Sequence, residues 1–303
     1  MKDYLNINLA NDYALDIGAP ILHEHVSVIH YDEMGKIRHT LNKMGVYAVF
    51  VQDNFPSHLA YGVGDYDVSQ GSLTASSPGQ IIGKSDNGHL EVYHGWVLMF
   101  DPEFMHGTEF EKRIGDYHYF SYNVNEALRL TDDEKLTVWN LMEDIRSVLM
   151  NGTDKNLTDR IVQDYIVLLC DYCQLFYQRQ FSDTARQSDM LSRLRQLLVS
   201  YYERHEGQRH GLPTVKYCAS ELFLSPSYLG DVIRNLTGQS PTHYISRFIT
   251  DRAKSLMISG KNISQVADEL GFEHPQHFTR FFKKQTTLTP SQYIKNLQKP
   301  KIG

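Results

Sequence analysis

Near the end of the chain, in PQHFTRFFKK (275–284), Gln276 and Arg280 stand four residues apart, with His277 and Thr279 between them and Lys283 and Lys284 behind. Four residues is about one helical turn, so Gln276 and Arg280 share a face if the segment is a helix. A glutamine amide can pair bidentately with adenine and a guanidinium with guanine, while threonine offers its methyl to thymine or its hydroxyl to a phosphate. The two lysines add charge suited to phosphate oxygens. The competing reading is an ordinary solvated helix face.

Two other groupings have residue types that do chemistry. HEH (23–25) places His23 and His25 on one side of a strand, and such a pair, joined by a nearby carboxylate and a later histidine, is a metal-binding arrangement. Here the next carboxylate downstream, at Asp32 and Glu33, is too distant in sequence, and His94 would have to be brought in by the fold. CDYC (170–173) has the spacing of a zinc or redox pair, but it lies in a strongly apolar stretch and has no second pair to complete a tetrahedral site. It reads as core packing. Nucleophile-elbow, Walker and dinucleotide motifs are absent from the sequence, and no cofactor is expected.

The elements that must position the C-terminal side chains occur twice. CASELFLSPSYLGDVIRNLTGQSP (218–241) and VADELGFEHPQHFTRFFKKQTTLTP (266–290) superpose with Ala219 on Ala267, Leu222 on Leu270, Leu224 on Phe272, Leu229 on Phe278 and Pro241 on Pro290. A small residue at a helix crossing, apolar residues locking it and a tight turn make a helix-turn-helix. Gly271 supplies the freedom that such a turn needs, whereas the first copy has Phe223 there. Ser225-Pro226 reads as a cap followed by proline at the first helical position, and Pro275 repeats the proline behind a poorer cap, His274. Between the copies, PTHYISRFITDRAKSLM (241–257) reads as a linking helix. In the first copy the places of Gln276, His277, Thr279, Arg280 and Lys283 are held by Ser227, Tyr228, Gly230, Asp231 and Arg234. Glycine reads no base edge, and aspartate repels phosphate although it can accept from cytosine N4, so direct contact falls to Ser227, Tyr228 and Arg234.

Charge follows the same division. Residues 211–303 hold 12 Lys and Arg against 6 Asp and Glu, although the whole chain carries a net charge of −6. Net charge is an average over modules, and this asymmetry is that of a nucleic-acid-facing end joined to an acidic partner module. The 303 residues suffice for two domains, divided at the polar stretch RHEGQRHGLP (204–213): 1–203 and 211–303. Three cysteines, an N-terminus without an apolar signal region and no apolar run of membrane-spanning length point to a soluble protein of the cytoplasm, with no membrane partner.

Before residue 120 the pattern is strand-like. ILHEHVSVIHY (21–31), VYAVFVQD (46–53), DYDVSQGSLTA (65–75) and LEVYHGWVLMF (90–100) alternate with turn residues and predict an antiparallel sandwich or small barrel. Thr131 and Glu134 form a capping box for a helix carrying Val138, Leu141, Met142, Ile145 and Leu149. The next helix, roughly 158–179, is apolar nearly all round and needs two partners: its own domain and either a second subunit or more of the same monomer.

On SPSYLGDVIRNLTGQSP, Arg252-Ala253-Lys254, ISQVADELGFEHPQHFTRFFKK and TPSQY the chain resembles the AraC/XylS family of bacterial transcription regulators, closely over about 90 residues. GSLTASSPGQ (71–80) and GWVLMFDPEFM (95–105) look like strands of the family's cupin-like sensor domain. The resemblance implies an α+β protein with an N-terminal cupin-like β-barrel, dimerisation helices from about 131, and a C-terminal all-α domain with two helix-turn-helix motifs. It implies a sequence-specific regulator, located at the bacterial nucleoid, that binds double-stranded promoter DNA as a homodimer. It further implies RNA polymerase as partner if the regulator is an activator, and a small-molecule effector of unknown identity. It adds Arg252 to the DNA-binding set, and His25, Tyr47 and Trp96 are expected to line an effector pocket. A second class stays open at this point: a cupin-type metalloenzyme with a helical appendage, which chelator-sensitive activity would distinguish.

Overall fold

The computed structural model describes residues 4–38, 40–52, 71–83, 88–123, 126–182 and 184–297. Within it the chain divides into two compact units, Met1–Gln180 and Phe181–Gly303. The first mixes strands and helices, and the described part of the second is helical.

In the first unit the order is β1 (Tyr4–Ile7), α1 (Asp12–Ile17), β2 (Val26–His30), β3 (Ile37–Arg38), β4 (Leu41–Met44), β5 (Tyr47–Gln52), β6 (Ser72–Ser76), β7 (Ile81–Gly83), β8 (Leu90–Glu91), β9 (Gly95–Phe100), α2 (Glu109–Arg113), β10 (Leu128–Arg129), α3 (Asp132–Asn151) and α4 (Lys155–Phe181). Five strands form an antiparallel sheet in the order β10-β6-β5-β9-β2. Three more form a sheet β1-β4-β7, in which β1 and β4 run parallel, and β3 pairs with β8. Among the described residues the strands thus form three separate sheets and no closed barrel. Parts of two expected strands, residue 53 and residues 65–70, lie outside the described residues.

The inner strand β9, paired with β5 on one side and β2 on the other, is buried at every position, which is why GWVLMF is continuously apolar rather than alternating. One face of the five-stranded sheet, with Ile29, Ala48, Val97 and Met99, packs on Ile7, Met44 and Val46 from the smaller sheet and its turn. On the opposite face Trp139 of α3 meets His30 and Trp96 edge-on. The expected capping box starts α3, with Thr131 Oγ1 accepting from the Glu134 N–H and Glu134 Oε2 accepting from the Thr131 N–H. Helix α4 has two apolar faces, as its sequence predicts. Val162, Ile166, Leu169, Cys170, Cys173 and Phe176 are buried, while Leu157, Leu168 and Leu175 are exposed.

The second unit contains α5 (Thr184–Glu203), α6 (Glu206–His210), α7 (Val215–Glu221), α8 (Pro226–Thr237), α9 (Pro241–Ile258), α10 (Ile263–Leu270), α11 (Pro275–Thr286) and α12 (Pro290–Leu297). The units part well before the polar stretch at 204–213. Leu194, Leu198, Tyr201 and Tyr202 of α5 share one core with Ala219, Leu229, Ile249, Ala267, Phe278 and Phe282. The polar stretch itself forms α6, whose Gly207 packs so closely that a Cβ there would lie 3.0 Å from the Tyr202 ring and 3.1 Å from the Glu269 carbonyl oxygen. Its polar side chains disguise a packed backbone as a linker. Among the described residues no helix is long and apolar enough to cross a membrane.

Candidate nucleic-acid interface

Helices α7 and α8 form one helix-turn-helix unit, and α10 and α11 form the second. Ala219 and Ala267, the small residues at the two crossings, are both buried. The two turns are built alike: the Leu224 N–H donates to the Ala219 carbonyl at 2.8 Å, and the Phe272 N–H donates to the Ala267 carbonyl at 2.9 Å. This bond, spanning five residues, is the closing bond of a Schellman turn, which needs a left-handed residue just before it. Gly271 takes that place with φ +87° and Phe223 with φ +58°. Gly271 also has no room for a side chain, since a Cβ would lie 2.3 Å from the Gly207 carbonyl oxygen. Helix α8 starts under a Ser225 cap, whose Oγ accepts from the Tyr228 N–H at 3.2 Å, whereas His274 gives α11 no side-chain cap.

On α11 the inward side is Phe278 and Phe282, both fully buried. Gln276, His277, Arg280, Lys283 and Lys284 are exposed, and among the described residues none of the three cations is in an ion pair. Thr279 is half-buried and donates its hydroxyl to the Pro275 carbonyl at 2.9 Å, which leaves its methyl as the group with no bond of its own. The side of α11 opposite the core is therefore cationic and rich in donors.

The first copy differs. Ser227 and Tyr228 are half-buried, and the Tyr228 ring lies 5.4 Å from that of Phe181, the first residue of this unit. Gly230 and Asp231, matched in the repeat with positions presented on α11, are buried, and Asp231 is only 8% exposed. Arg234 is exposed, and its Nη2 lies 2.9 Å from Asp231 Oδ1. Arg252 on α9 faces into the domain: its guanidinium sits 5.0 Å above the Tyr202 ring, and its Nη2 is 3.7 Å from Glu269 Oε1. Sequence reasoning passed over an open cleft of about 370 Å³ lined by Gln239, His243, Arg247, Lys254 and Gln285, together with Thr250 and Asp251. The spacing of His243, Arg247 and Lys254 along α9, at four and seven residues, is the signal that would have found it.

In the first unit His25, Tyr47 and Trp96 belong to three different clusters. His25 Nδ1 is 2.9 Å from Asp101 Oδ2. Tyr47 is packed among Phe100, Phe110 and Phe120 at 5.1–5.4 Å, and burial pushes its hydroxyl above the usual phenol range. Trp96 is fully buried and stacked on His30 at 4.1 Å. The H-x-H pair is tied to carboxylates on different elements, His23 Nε2 to Asp159 at 3.0 Å and His25 to Asp101, while His94 Nδ1 meets Asp32 at 2.5 Å. Among the described residues no three His, Cys, Asp or Glu side chains are grouped to hold a metal ion. Cys170 and Cys173 are fully buried, and burial raises the Cys170 thiol to about 12, so the pair belongs to the core.

Comparison with known proteins matches residues 218–296 to the family model of a helix-turn-helix domain. The chain is 34% identical over 84 residues to the transcriptional regulatory protein YesN of Bacillus subtilis (strain 168), covering 26% of this chain and 23% of that protein. It is 28% identical over 119 residues to the HTH-type transcriptional regulator YobQ of the same organism, covering 35% of this chain and 49% of that protein. The chain thus spans less than half the length of either relative. Among solved structures, the C-terminal domain of AraT, a response regulator from Geobacillus stearothermophilus, aligns at 24% identity over 39% of this chain and 94% of that one, with a TM-score of 0.33.

Proposed function

We infer, from a C-terminal part that is an AraC-type helix-turn-helix domain, that the chain is a sequence-specific DNA-binding transcription regulator. The observation that carries this reading is the duplicated helix-turn-helix with an unpaired cationic face on α11. Two such units joined by one helix suit two successive major-groove segments about 34 Å apart on one side of a duplex. Gln276 and Arg280 read base edges, Thr279 offers its methyl to thymine, and His277, Lys283 and Lys284 contact the backbone. Ser227, Tyr228 and Arg234 serve the other half-site. Arg252 contributes by holding α9 in place, and residues 211–303 form the DNA-binding module together with α5.

The N-terminal unit acts in this reading as a cupin-like sensor for a small-molecule effector, with the clusters around His25, Tyr47 and Trp96 as its candidate contacts. The exposed leucines of α4 support homodimerisation through that helix. Promoter DNA is the partner, RNA polymerase a second one if transcription is activated, and the cytoplasmic nucleoid the place of action.

The test is selection of bound fragments from a randomised double-stranded DNA pool, followed by titration of the winner at several salt concentrations. A defined sequence bound with a steep salt dependence is the expected result. Failure to enrich any sequence would overturn the reading.

A further inference from the structure

The inference rests on the DNA-binding reading and concerns the half of the domain whose sequence suits it least. In the repeat, Gly230 corresponds to Thr279, Asp231 to Arg280 and Arg234 to Lys283. Where α11 presents a guanidinium, α8 carries a carboxylate beside a residue with no side chain.

The missing cation is supplied from one turn further along. Side chains on a helix lean toward its N-terminus, so a long residue reaches back over the positions three and four before it. Arg234 does so. Its Nη2 is 2.9 Å from Asp231 Oδ1, and the same nitrogen lies 3.1 Å from the point that a Cβ on Gly230 would occupy. The guanidinium thus covers the vacancy left by Gly230, close to the place that the Thr279 side chain fills in the second copy. Its side chain remains 45% exposed, whereas that of Asp231 is 11% exposed. A guanidinium has five N–H groups in a rigid fork, so one bond to a carboxylate fixes its orientation and leaves donors for an outside acceptor. A pre-set fork loses little side-chain freedom on binding and matches the paired N7 and O6 acceptors of guanine.

We propose that Arg234 is the base-reading cation of the first helix-turn-helix, that Asp231 is its positioning residue, and that Gly230 is small so that the guanidinium can lie across it. The pairing of glycine and aspartate, which by residue type alone weakens the first copy as a reader, is on this account what moves a reader into position.

The experiment is binding-site selection with the full chain, run side by side on the wild type and on R234A, D231N, G230A and K283A, with circular dichroism to establish that each is folded. G230A guards against a misfolded D231N, because alanine favours the helix while its Cβ would crowd only the Arg234 guanidinium, 3.1 Å away, and not the backbone. R234A and D231N should flatten preference at the same base pair by about tenfold or more, with G230A weakening it there too. The double variant R234A/D231N should lose no more than R234A alone. K283A, at the equivalent place of the second copy, should weaken all sequences alike.

Three results overturn the assignment. R234A could weaken every sequence by one factor and flatten the salt dependence, which is the behaviour of a phosphate contact. D231N could keep the preference that R234A loses, which would remove Asp231 as a positioning residue. D231N could also tighten binding with an unaltered sequence profile, as simple relief of charge repulsion would. A wild-type chain that enriches no sequence sinks the underlying reading, and an enriching wild type with any of these three outcomes sinks this proposal alone.

Discussion

Arg252 holds its guanidinium carbon 5.0 Å above the centre of the Tyr202 ring, so α9 is fastened to α5 by a cation on an aromatic face. Its Nη2 also points to Glu269 of α10 at 3.7 Å, and Glu269 is paired with Lys261. The residue that the family resemblance places at DNA is thereby an internal tie between three helices. Arg252→Ala should destabilise the protein by about 1–2 kcal/mol, through the lost cation–π contact and the lost packing of the stem. Urea unfolding followed by circular dichroism measures this. An unchanged midpoint together with an altered DNA sequence preference would return Arg252 to the interface.

Arg280 and Lys284 both project from α11 without an ion pair among the described residues, yet they should behave differently. Arg280→Ala should cost about 1–3 kcal/mol on the best site and relax preference at one base pair. Lys284→Ala should weaken all sequences alike and reduce the salt slope by about 1. Titration of the selected site and of single-base variants separates the two, and identical profiles for both variants would contradict the assignment.

Phe223 and Gly271 hold equivalent left-handed turn positions, at φ +58° and φ +87°. Substitutions at the two should have opposite signs. Gly271→Ala sets a Cβ 2.3 Å from the Gly207 carbonyl oxygen and 2.7 Å from Gly211, and should cost about 2 kcal/mol or more. Phe223 is 56% exposed, so Phe223→Gly loses little packing and should be neutral or stabilising by up to about 1 kcal/mol. Thermal unfolding midpoints of the two variants provide the check.

Leu168 and Leu175, one face of α4 at a seven-residue spacing, are 43% and 55% exposed. If they are the seam of a homodimer, Leu168→Glu with Leu175→Glu should convert the protein to monomer at tens of micromolar, roughly the range of weak functional dimers. Sedimentation of wild type and double variant decides it: a wild type that is already monomeric removes the interface.

The helix-turn-helix pair was legible because its signal is local. Ala219, Leu222 and Leu229 repeat as Ala267, Leu270 and Phe278 at nearly fixed spacing, and the spacing alone implies the crossing and the turn. The placement of Gly230, Asp231 and Arg252 was not legible. Helical counting gives a residue's angle about its own axis but not which neighbour covers it. The share of α5 in the C-terminal core was hidden for a related reason: Gly207 packs by its backbone, and no side chain advertises the contact. In the N-terminal unit, β9 is buried on both faces, so alternation could not say which way Trp96 points. The parallel pairing of β1 with β4 joins strands separated by more than thirty residues, a long-range event that no short window contains.

The chain has two tryptophans, and both belong to the first unit: Trp96 and Trp139 meet edge-on with ring centres 6.1 Å apart, and His30 lies flat against Trp96. Optically the molecule is therefore one-sided. Indole emission reports the sheet and α3, and the helices that carry Gln276 and Arg280 hold no tryptophan of their own. The two indoles are close enough to exchange excitation, and an imidazole is stacked on one of them. A change in emission on adding a small molecule would therefore be a signal from the first unit, obtained without any attached dye.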